Sequence, residues 1–453
     1  MNIILNTDSY KVSHYLQYPE GTEYVSSYIE ARSSDRYSFT LFFGLQMLFD
    51  KLRAPTVNEV MEAEEILTAH GYDFNLKDWL AIARLGYLPI RIQAVKEGST
   101  IPNRNVLVQI VNTDPRFPWL TSYLETAILR GVWYPTSVAT RSRFIKNIIL
   151  KNLEETGDPE LINFKLHDFG FRGVSSEESG MIGGAAHLVN FMGTDTLGAL
   201  VAARKYYGET MAGFSIPAAE HSTITSWGRD HEADAYENML DQFAKPGRLV
   251  AVVSDSYDLM GAVKDLWGNK FKQKIIDSGA TLVIRPDSGD PTLVPLEVIE
   301  QLARDFGYTT NEKGYKVLPS CVRVIQGDGV NEESIEECLK NITDEGFSAD
   351  NITFGMGGEL LQTVNRDTLG FAMKASAVKD NHGYWADVYK APKTDLGKAS
   401  KKGRLALIKT LNGYETVPEH AASLKTNLLE DVFVDGRVLR YQTLREIRAL
   451  SNA

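Results

Sequence analysis

The chain has 453 residues, of which 43% are apolar and 24% charged, the balance of a globular protein with room for a large core. Lys and Arg total 48 against 59 Asp and Glu, a net charge of −11, which argues against the broad basic face of a nucleic-acid binder but allows a local basic pocket. Two cysteines and no CxxC exclude a disulfide framework, no apolar run could span a membrane, and the apolar start Met1–Leu5 is too short for a secretion signal, so a cytoplasmic protein is expected.

The first third mixes elements. Thr56 and Glu59 have the spacing of a capping box, Val57, Val60, Met61 and Leu67 supply apolar positions, and Gly71 is a stop, which predicts a helix over Thr56–His70. Ile90, Ile92 and Ala94 alternate with polar neighbours. Val106, Val108 and Ile110 do the same after a turn at Pro102–Asn105, which predicts an antiparallel pair.

The middle of the chain changes pattern. Short apolar runs end in polar, Gly-rich loops, most of them followed by a helical pattern. The runs are Phe164–Leu166, Leu188–Phe191, Phe214–Ile216, Leu249–Val253, Thr281–Ile284, Val322–Ile325 and Ile352–Phe354, with Phe371–Met373 as an eighth candidate. Such alternation predicts an α/β fold with a (β/α) barrel-like parallel core, assigned to 151–389. In the tail, Asn412-Gly413 and Asp435-Gly436 mark hairpin turns. Residues 1–150 and 390–453 are expected to form a second, mixed α+β domain with antiparallel strands.

Ligands of a parallel barrel bind in the loops at the carboxyl ends of the strands. In strand order those loops are His167–Gly173, Gly193–Thr196, Pro217–Ser222, Ser254–Asp258, Arg285–Gly289, Gln326–Gly329 and Gly355–Gly358. Glycine loops let backbone N–H groups approach phosphate, arginine grips phosphate with a fork, and carboxylates hold magnesium or ribose hydroxyls. Each feature alone is ordinary, and Asp195 or Asp255 could be only a helix N-cap. Their coincidence on one rim describes a site for a sugar carrying several phosphates.

Competing motifs fail. Asp168-Phe169-Gly170 spells a kinase magnesium motif, but no HRD loop or VAIK strand accompanies it. There is no GxxxxGK[ST] and no HExxH. Lys398, Lys401, Lys402 and Arg404 form either a solvated basic loop or a second phosphate grip.

At these loops the sequence resembles the nicotinamide phosphoribosyltransferases of the type II phosphoribosyltransferase family. The matching stretches are TDSYKVSHY (7–15), NTDPRFPWL (112–120), KLHDFGFRGVSS (165–176), NFMGTDT (190–196), PAAEHSTITSWGRDHE (217–232), VVSDSYD (252–258), IRPDSGDP (284–291), RVIQGDGV (323–330) and SKKGRLAL (400–407). The resemblance implies a homodimer with shared active sites that makes nicotinamide mononucleotide and pyrophosphate from nicotinamide and phosphoribosyl pyrophosphate. It also implies magnesium as cofactor and ATP as co-substrate through a phosphohistidine, in NAD salvage, with no nucleic-acid or membrane partner.

The implied roles fall on matching positions. Phe169 stacks on one face of the pyridine and Tyr10, from the partner subunit, on the other. Arg172, Asp195 and Ser215 belong to the nicotinamide pocket. His221 is the phosphorylated residue and Asp255 orients it. Arg285 binds substrate phosphate, and Asp287 contacts the ribose and the reacting ring. Gly327, Asp328, Gly357, Gly358 and Arg366 hold ribose and its 5′-phosphate. Lys374, and Lys390 and Lys398 from the partner chain, reach pyrophosphate or ATP phosphates, and Asp255 and Asp287 are the candidate metal ligands. Ala251, Ala372 and Met356 depart from the residues expected there. The rival readings are a nicotinate phosphoribosyltransferase and a non-catalytic phosphosugar-binding barrel.

Overall fold

The computed structural model describes residues 2–394 and 399–452. The chain separates into two compact units: a sheet unit of Met1–Thr140, Lys205–Glu209 and Val364–Ala453, and a barrel unit of Arg141–Arg204 and Thr210–Thr363. Among the described residues no helix is long and apolar enough to cross a membrane.

The barrel unit is built on a parallel sheet. Its strand order is Gly193–Thr194, Leu166–Asp168, Ile352–Met356, Val322–Gln326, Thr281–Arg285 and Leu249–Val253. The two edges are joined by the segment 214–219. Phe214 bridges Gly193 in parallel on one side and Ala218 bridges Ala251 in parallel on the other. The amide of Thr194 donates to the Phe214 carbonyl at 3.1 Å, and that of Ala251 to the Pro217 carbonyl at 2.9 Å. The sheet therefore curls into the expected barrel-like core. Ala251, Val283 and Ile325 are buried together, with Phe169 and Ile216 packed against them.

Amphipathic helices cover the strands. Val294–Phe306 buries Val298, Ile299 and Leu302, and Glu332–Asp344 buries Ile335, Cys338, Leu339 and Ile342, the one-sided stripes that a 3.6-residue period produces.

Three expected strands differ. Leu188–Phe191 is not a strand; it closes the helix Glu177–His187, and the strand follows at Gly193–Thr194. Leu188, Val189 and Phe191 are buried all the same, and a short buried run has no period that separates a helix end from a strand. Phe164 ends a 3-10 turn begun by Pro159, so the first strand starts at Leu166. The Phe214–Ile216 run bridges only at Phe214.

The sheet unit carries an antiparallel sheet in the order Trp385–Asp387, Phe371–Asp380, Thr22–Ala31, Val106–Asn112, Ile90–Ala94, Glu430–Val434 and Arg437–Val438. The eighth candidate barrel strand, Phe371–Met373, belongs here, paired with Thr22–Ala31. The expected pair forms with Ile92 opposite Ile110 and Ala94 opposite Val108. The capping box at Thr56 starts the helix Val57–Ala69, which buries Val60, Ala63 and Leu67. Val57 and Met61 are exposed, because 100° per residue carries them off that stripe. Asp435 and Gly436 have φ of 49° and 78°, the two left-handed residues of the expected hairpin turn. The other turn falls one residue earlier than expected, at Leu411-Asn412, since Thr410 pairs with Gly413.

A buried carboxylate ties distant parts of this unit together. Glu97 accepts the amide of Gln46 at 2.7 Å and the hydroxyl of Tyr207 at 2.8 Å. The Glu97 amide donates to the Gln442 side chain at 2.9 Å, and the Gln46 side chain donates to the Gln442 carbonyl and accepts the Gln442 amide. Burial raises the Glu97 carboxyl above its ordinary pKa, and the surrounding donors oppose the rise. A carboxyl pKa raised by folding favours the fold at low pH, and that contribution is lost as pH rises through the folded value. Tyr207→Phe should leave one buried carboxylate oxygen without its donor and cost about 1–3 kcal/mol. Urea unfolding at pH 7 measures the cost. The loss should shrink near pH 4, where protonation of Glu97 removes the unpaired charge.

Candidate active site

The Leu166–Asp168 strand delivers the first half of the site. Asp168 is fully buried, accepts the Gly170 amide at 2.8 Å, and is pushed by burial up to about 6. Phe169 follows it, with its amide on the Met356 carbonyl at 2.9 Å. Its ring lies against the next strand at Gly355, where a Cβ would stand 1.9 Å from the Phe169 Cε2. Glycine at 355 is thus a requirement of close approach. Phe171 is seated in the same way, against Gly180 and Gly198.

Phe169, Phe171, Arg172, Asp195 and Thr196 line a cavity of about 420 Å³. The Asp195 amide donates to the Asp168 carbonyl at 2.9 Å, and the Ser215 hydroxyl donates to the Asp195 carboxylate. Aromatic walls, one guanidinium and one oriented carboxylate suit a flat heteroaromatic ring with a polar substituent.

The second half is charged. His221 opens the helix His221–Thr225. Its Nε2 lies 2.9 Å from Asp255 Oδ1, and its Nδ1 lies 3.8 Å from Asp287 Oδ2. The imidazole thus sits between two carboxylates, where the sequence suggested one. Arg285 Nη2 donates to Asp287 Oδ2 at 3.0 Å. Arg285 Nε, Gln326 Oε1 and Ser256 Oγ are buried without a partner. Buried polar groups are normally satisfied, so unmet ones at adjoining strand ends mark a place for a polar ligand. Among the described residues no group of three or more His, Cys, Asp or Glu is arranged to hold a metal. Asp255 and Asp287 are the acids this rim brings together, and magnesium ordinarily takes one or two carboxylates with substrate phosphates and water.

Gly327 joins the halves. A Cβ there would lie 3.4 Å from Asp287 Oδ1, 3.5 Å from Arg285 Cδ and 3.6 Å from Phe169 Cε2. Gln326 Nε2 donates to the carbonyl of exposed Asp328 at 2.7 Å. Gly357 caps the helix Gly358–Gln362, and a Cβ on Gly173 would stand 2.8 Å from Gly358 Cα, so this loop packs on the one bearing Arg172.

The remaining expected residues belong to the sheet unit. Tyr10 is exposed on the 3-10 helix Ser9–Leu16, with the Lys11 ammonium 5.2 Å from its ring centroid. Burial holds the Lys374 ammonium below its ordinary pKa; Glu125 opposes the fall, while Arg32, Lys390 and Lys11 reinforce it. Arg366 pairs with Asp367 at 2.9 Å. Lys398 lies outside the described residues. Ala251, Met356 and Ala372, the three departures, are all buried.

The sequence reading missed Phe171, Thr196 and Gly355. Phe171 and Thr196 stood in loops already marked, so a rule admitting every side chain of those loops would have found them. Gly355 carries a signal only once Phe169 is known to need its space.

A family profile described as the nicotinate phosphoribosyltransferase (NAPRTase) family matches residues 164–437. One described as nicotinamide phosphoribosyltransferase, N-terminal domain, matches residues 2–92. The chain is 52% identical to a nicotinamide phosphoribosyltransferase of Xanthomonas campestris pv. campestris (strain 8004), over 100% of this chain and 98% of that one. It is 31% identical to a nicotinamide phosphoribosyltransferase of Acinetobacter baylyi, over 97% and 95% of the two chains. Among solved structures, nicotinate-nucleotide pyrophosphorylase from Pyrococcus furiosus aligns with a TM-score of 0.63 at 17% identity, covering 100% of this chain and 95% of that one. Human nicotinic acid phosphoribosyltransferase aligns with a TM-score of 0.60 at 16% identity, covering 98% and 93%. At such identities the structural likeness speaks to the fold alone. With a relative 52% identical along the whole chain, this protein belongs to the nicotinate phosphoribosyltransferase family, on its nicotinamide phosphoribosyltransferase side.

Proposed function

We propose that the chain transfers the phosphoribosyl group of phosphoribosyl pyrophosphate to nicotinamide, forming nicotinamide mononucleotide and pyrophosphate in NAD salvage. The observation that carries the choice of acceptor is the aromatic cavity closed on one side by Asp195, held by Ser215.

The pyridine nitrogen brings its lone pair to the anomeric carbon, the bond from that carbon to pyrophosphate breaks, and the sugar passes through an oxocarbenium-like state. A neutral pyridine needs no general base. Phe169 holds the ring, with the partner subunit's Tyr10 on its other face, so the reacting atoms meet aligned. Asp195 accepts from the carboxamide N–H and Arg172 supplies a donor to the same pocket. Asp287, beside Gly327, faces the positive charge that develops on the sugar. Arg285 has a buried N–H to spare for phosphate oxygen. The glycine loops at Gly327-Asp328 and Gly357-Gly358 offer backbone amides to the ribose 5′-phosphate, and Arg366 and Lys374, with the partner subunit's Lys390 and the partner subunit's Lys398, add positive charge for the phosphates. Magnesium held by Asp255 and Asp287 would neutralise charge on the leaving pyrophosphate.

ATP enters this reading through His221. If Nε2–H donates to Asp255, the lone pair of Nδ1 is free to accept a phosphoryl group, with ADP leaving. The enzyme then works as a homodimer in the cytoplasm. Free Cys321 and Cys338 support a reducing compartment.

Incubating the protein with nicotinamide, phosphoribosyl pyrophosphate, magnesium and ATP should yield nicotinamide mononucleotide, and no product would end the proposal. Asp195→Asn tests the acceptor. An ionised Asp accepts from an amide N–H and repels a second carboxylate, so the wild type should favour nicotinamide over nicotinate by at least about tenfold to a hundredfold. The variant should narrow that ratio of kcat/KM, and an unchanged ratio counts against the role.

His221→Ala should keep slow basal synthesis and lose ATP stimulation; ATP hydrolysis still in step with synthesis would refute the phosphohistidine. For the shared site, inactive Tyr10→Ala and inactive Asp287→Ala should regain partial activity when mixed. Verified subunit exchange without recovery would mean that Tyr10 does not serve the neighbouring site.

A further inference from the structure

Arg141 is a buried guanidinium of the barrel unit that the chemistry above does not use. Its Nε and Nη2 grip both carboxylate oxygens of Glu332 at 2.7 and 2.6 Å. Nη2 also meets Glu359 Oε1 at 2.8 Å, while Nη1 donates to the Glu359 carbonyl and the Thr363 hydroxyl. The side chains of Arg141 and Glu332 are 7% and 2% exposed.

The partners are not arbitrary. Glu332 is the first residue of the helix Glu332–Asp344, which follows the loop of Gly327 and Asp328. The Ser334 hydroxyl of that helix donates back to the Gly329 carbonyl at 2.9 Å. Glu359 lies in the first turn of the helix Gly358–Gln362, which begins at the Gly357-Gly358 loop. One planar group therefore ties together the starts of the two helices that carry the two glycine loops.

A buried ion pair is a weak device for stability, because desolvation cancels much of its attraction and apolar residues of the same volume do as well. What apolar packing cannot supply is a rigid fork with fixed donor directions, and lysine cannot supply it either. We infer that Arg141 is a positioning residue that sets the spacing of the Gly327-Asp328 and Gly357-Gly358 loops, and through them the affinity for the ribose 5-phosphate half of the donor. This rests on the phosphoribosyl-transfer reading. The groups it grips stand at the starts of the helices behind the donor loops, so its removal weakens donor binding more than acceptor binding.

The experiment compares Arg141→Lys and Glu359→Gln with wild type, using phosphoribosyl pyrophosphate and nicotinamide as substrates and ribose 5-phosphate as a competitive probe. Arg141→Lys should raise the donor KM and the ribose 5-phosphate inhibition constant about tenfold, with the nicotinamide KM and kcat within about twofold of wild type. Glu359→Gln, which loosens only the second helix, should move the same two constants by about twofold to fourfold, and it keeps the test open if Arg141→Lys does not fold. Tyr207→Phe, destabilised elsewhere, is the control and should leave both constants unchanged. Folded variants with unaltered donor constants overturn the inference, as does a nicotinamide KM that rises equally. A wild type that neither consumes phosphoribosyl pyrophosphate nor binds ribose 5-phosphate overturns the enzymatic reading itself.

Discussion

The site depends on how the parallel sheet closes. All loops that follow parallel strands emerge at one rim, and they face one another only when the sheet curls. Here the curl is completed by the segment 214–219, bonded at Phe214 to one edge and at Ala218 to the other. Between those bridges it holds Ser215 against Asp195, and just beyond them it delivers His221 to Asp255. The ring pocket and the charged group are thus brought face to face by the same stretch of backbone.

Within that frame the charges are arranged with little slack. Asp287 serves both Arg285 and His221, so anything that draws the guanidinium toward a phosphate changes what the imidazole feels. Asp168 works at a different level. Fully buried, it binds the Gly170 amide through its carboxylate and the Asp195 amide through its carbonyl. It sets the turn that aims Phe169, and its own chemistry is withdrawn from solvent.

Much of this was legible in the sequence because the relevant physics is local. The apolar runs at Leu249–Val253 and Val322–Ile325 are strands, buried on both faces from Val250 in the first, and the polar residues after them have nowhere to go but the rim. Thr56 and Glu59, or Asp435 and Gly436, announce their turns through their own side chains and backbone. Long-range matters did not show. Nothing near Phe371 says that its strand pairs with Thr22–Ala31 and leaves the barrel, and nothing near Leu188 separates a helix end from a strand. Arg141 was invisible as well, since its two carboxylates lie about 190 and 220 residues further along the chain.

The sheet unit is made mainly of residues 1–140 and 364–453, with all of the barrel unit's sequence between them. During synthesis the Thr22–Ala31 and Ile90–Ala94 strands leave the ribosome long before Phe371–Asp380 and Glu430–Val434, the neighbours that cover their outer edges. At roughly 5–20 residues per second, those edges stay bare for on the order of ten seconds or more while the barrel is being made. Unpaired strand edges invite other chains. The nascent protein therefore carries an aggregation hazard on these early strands, and chaperones should occupy them until the last strands arrive.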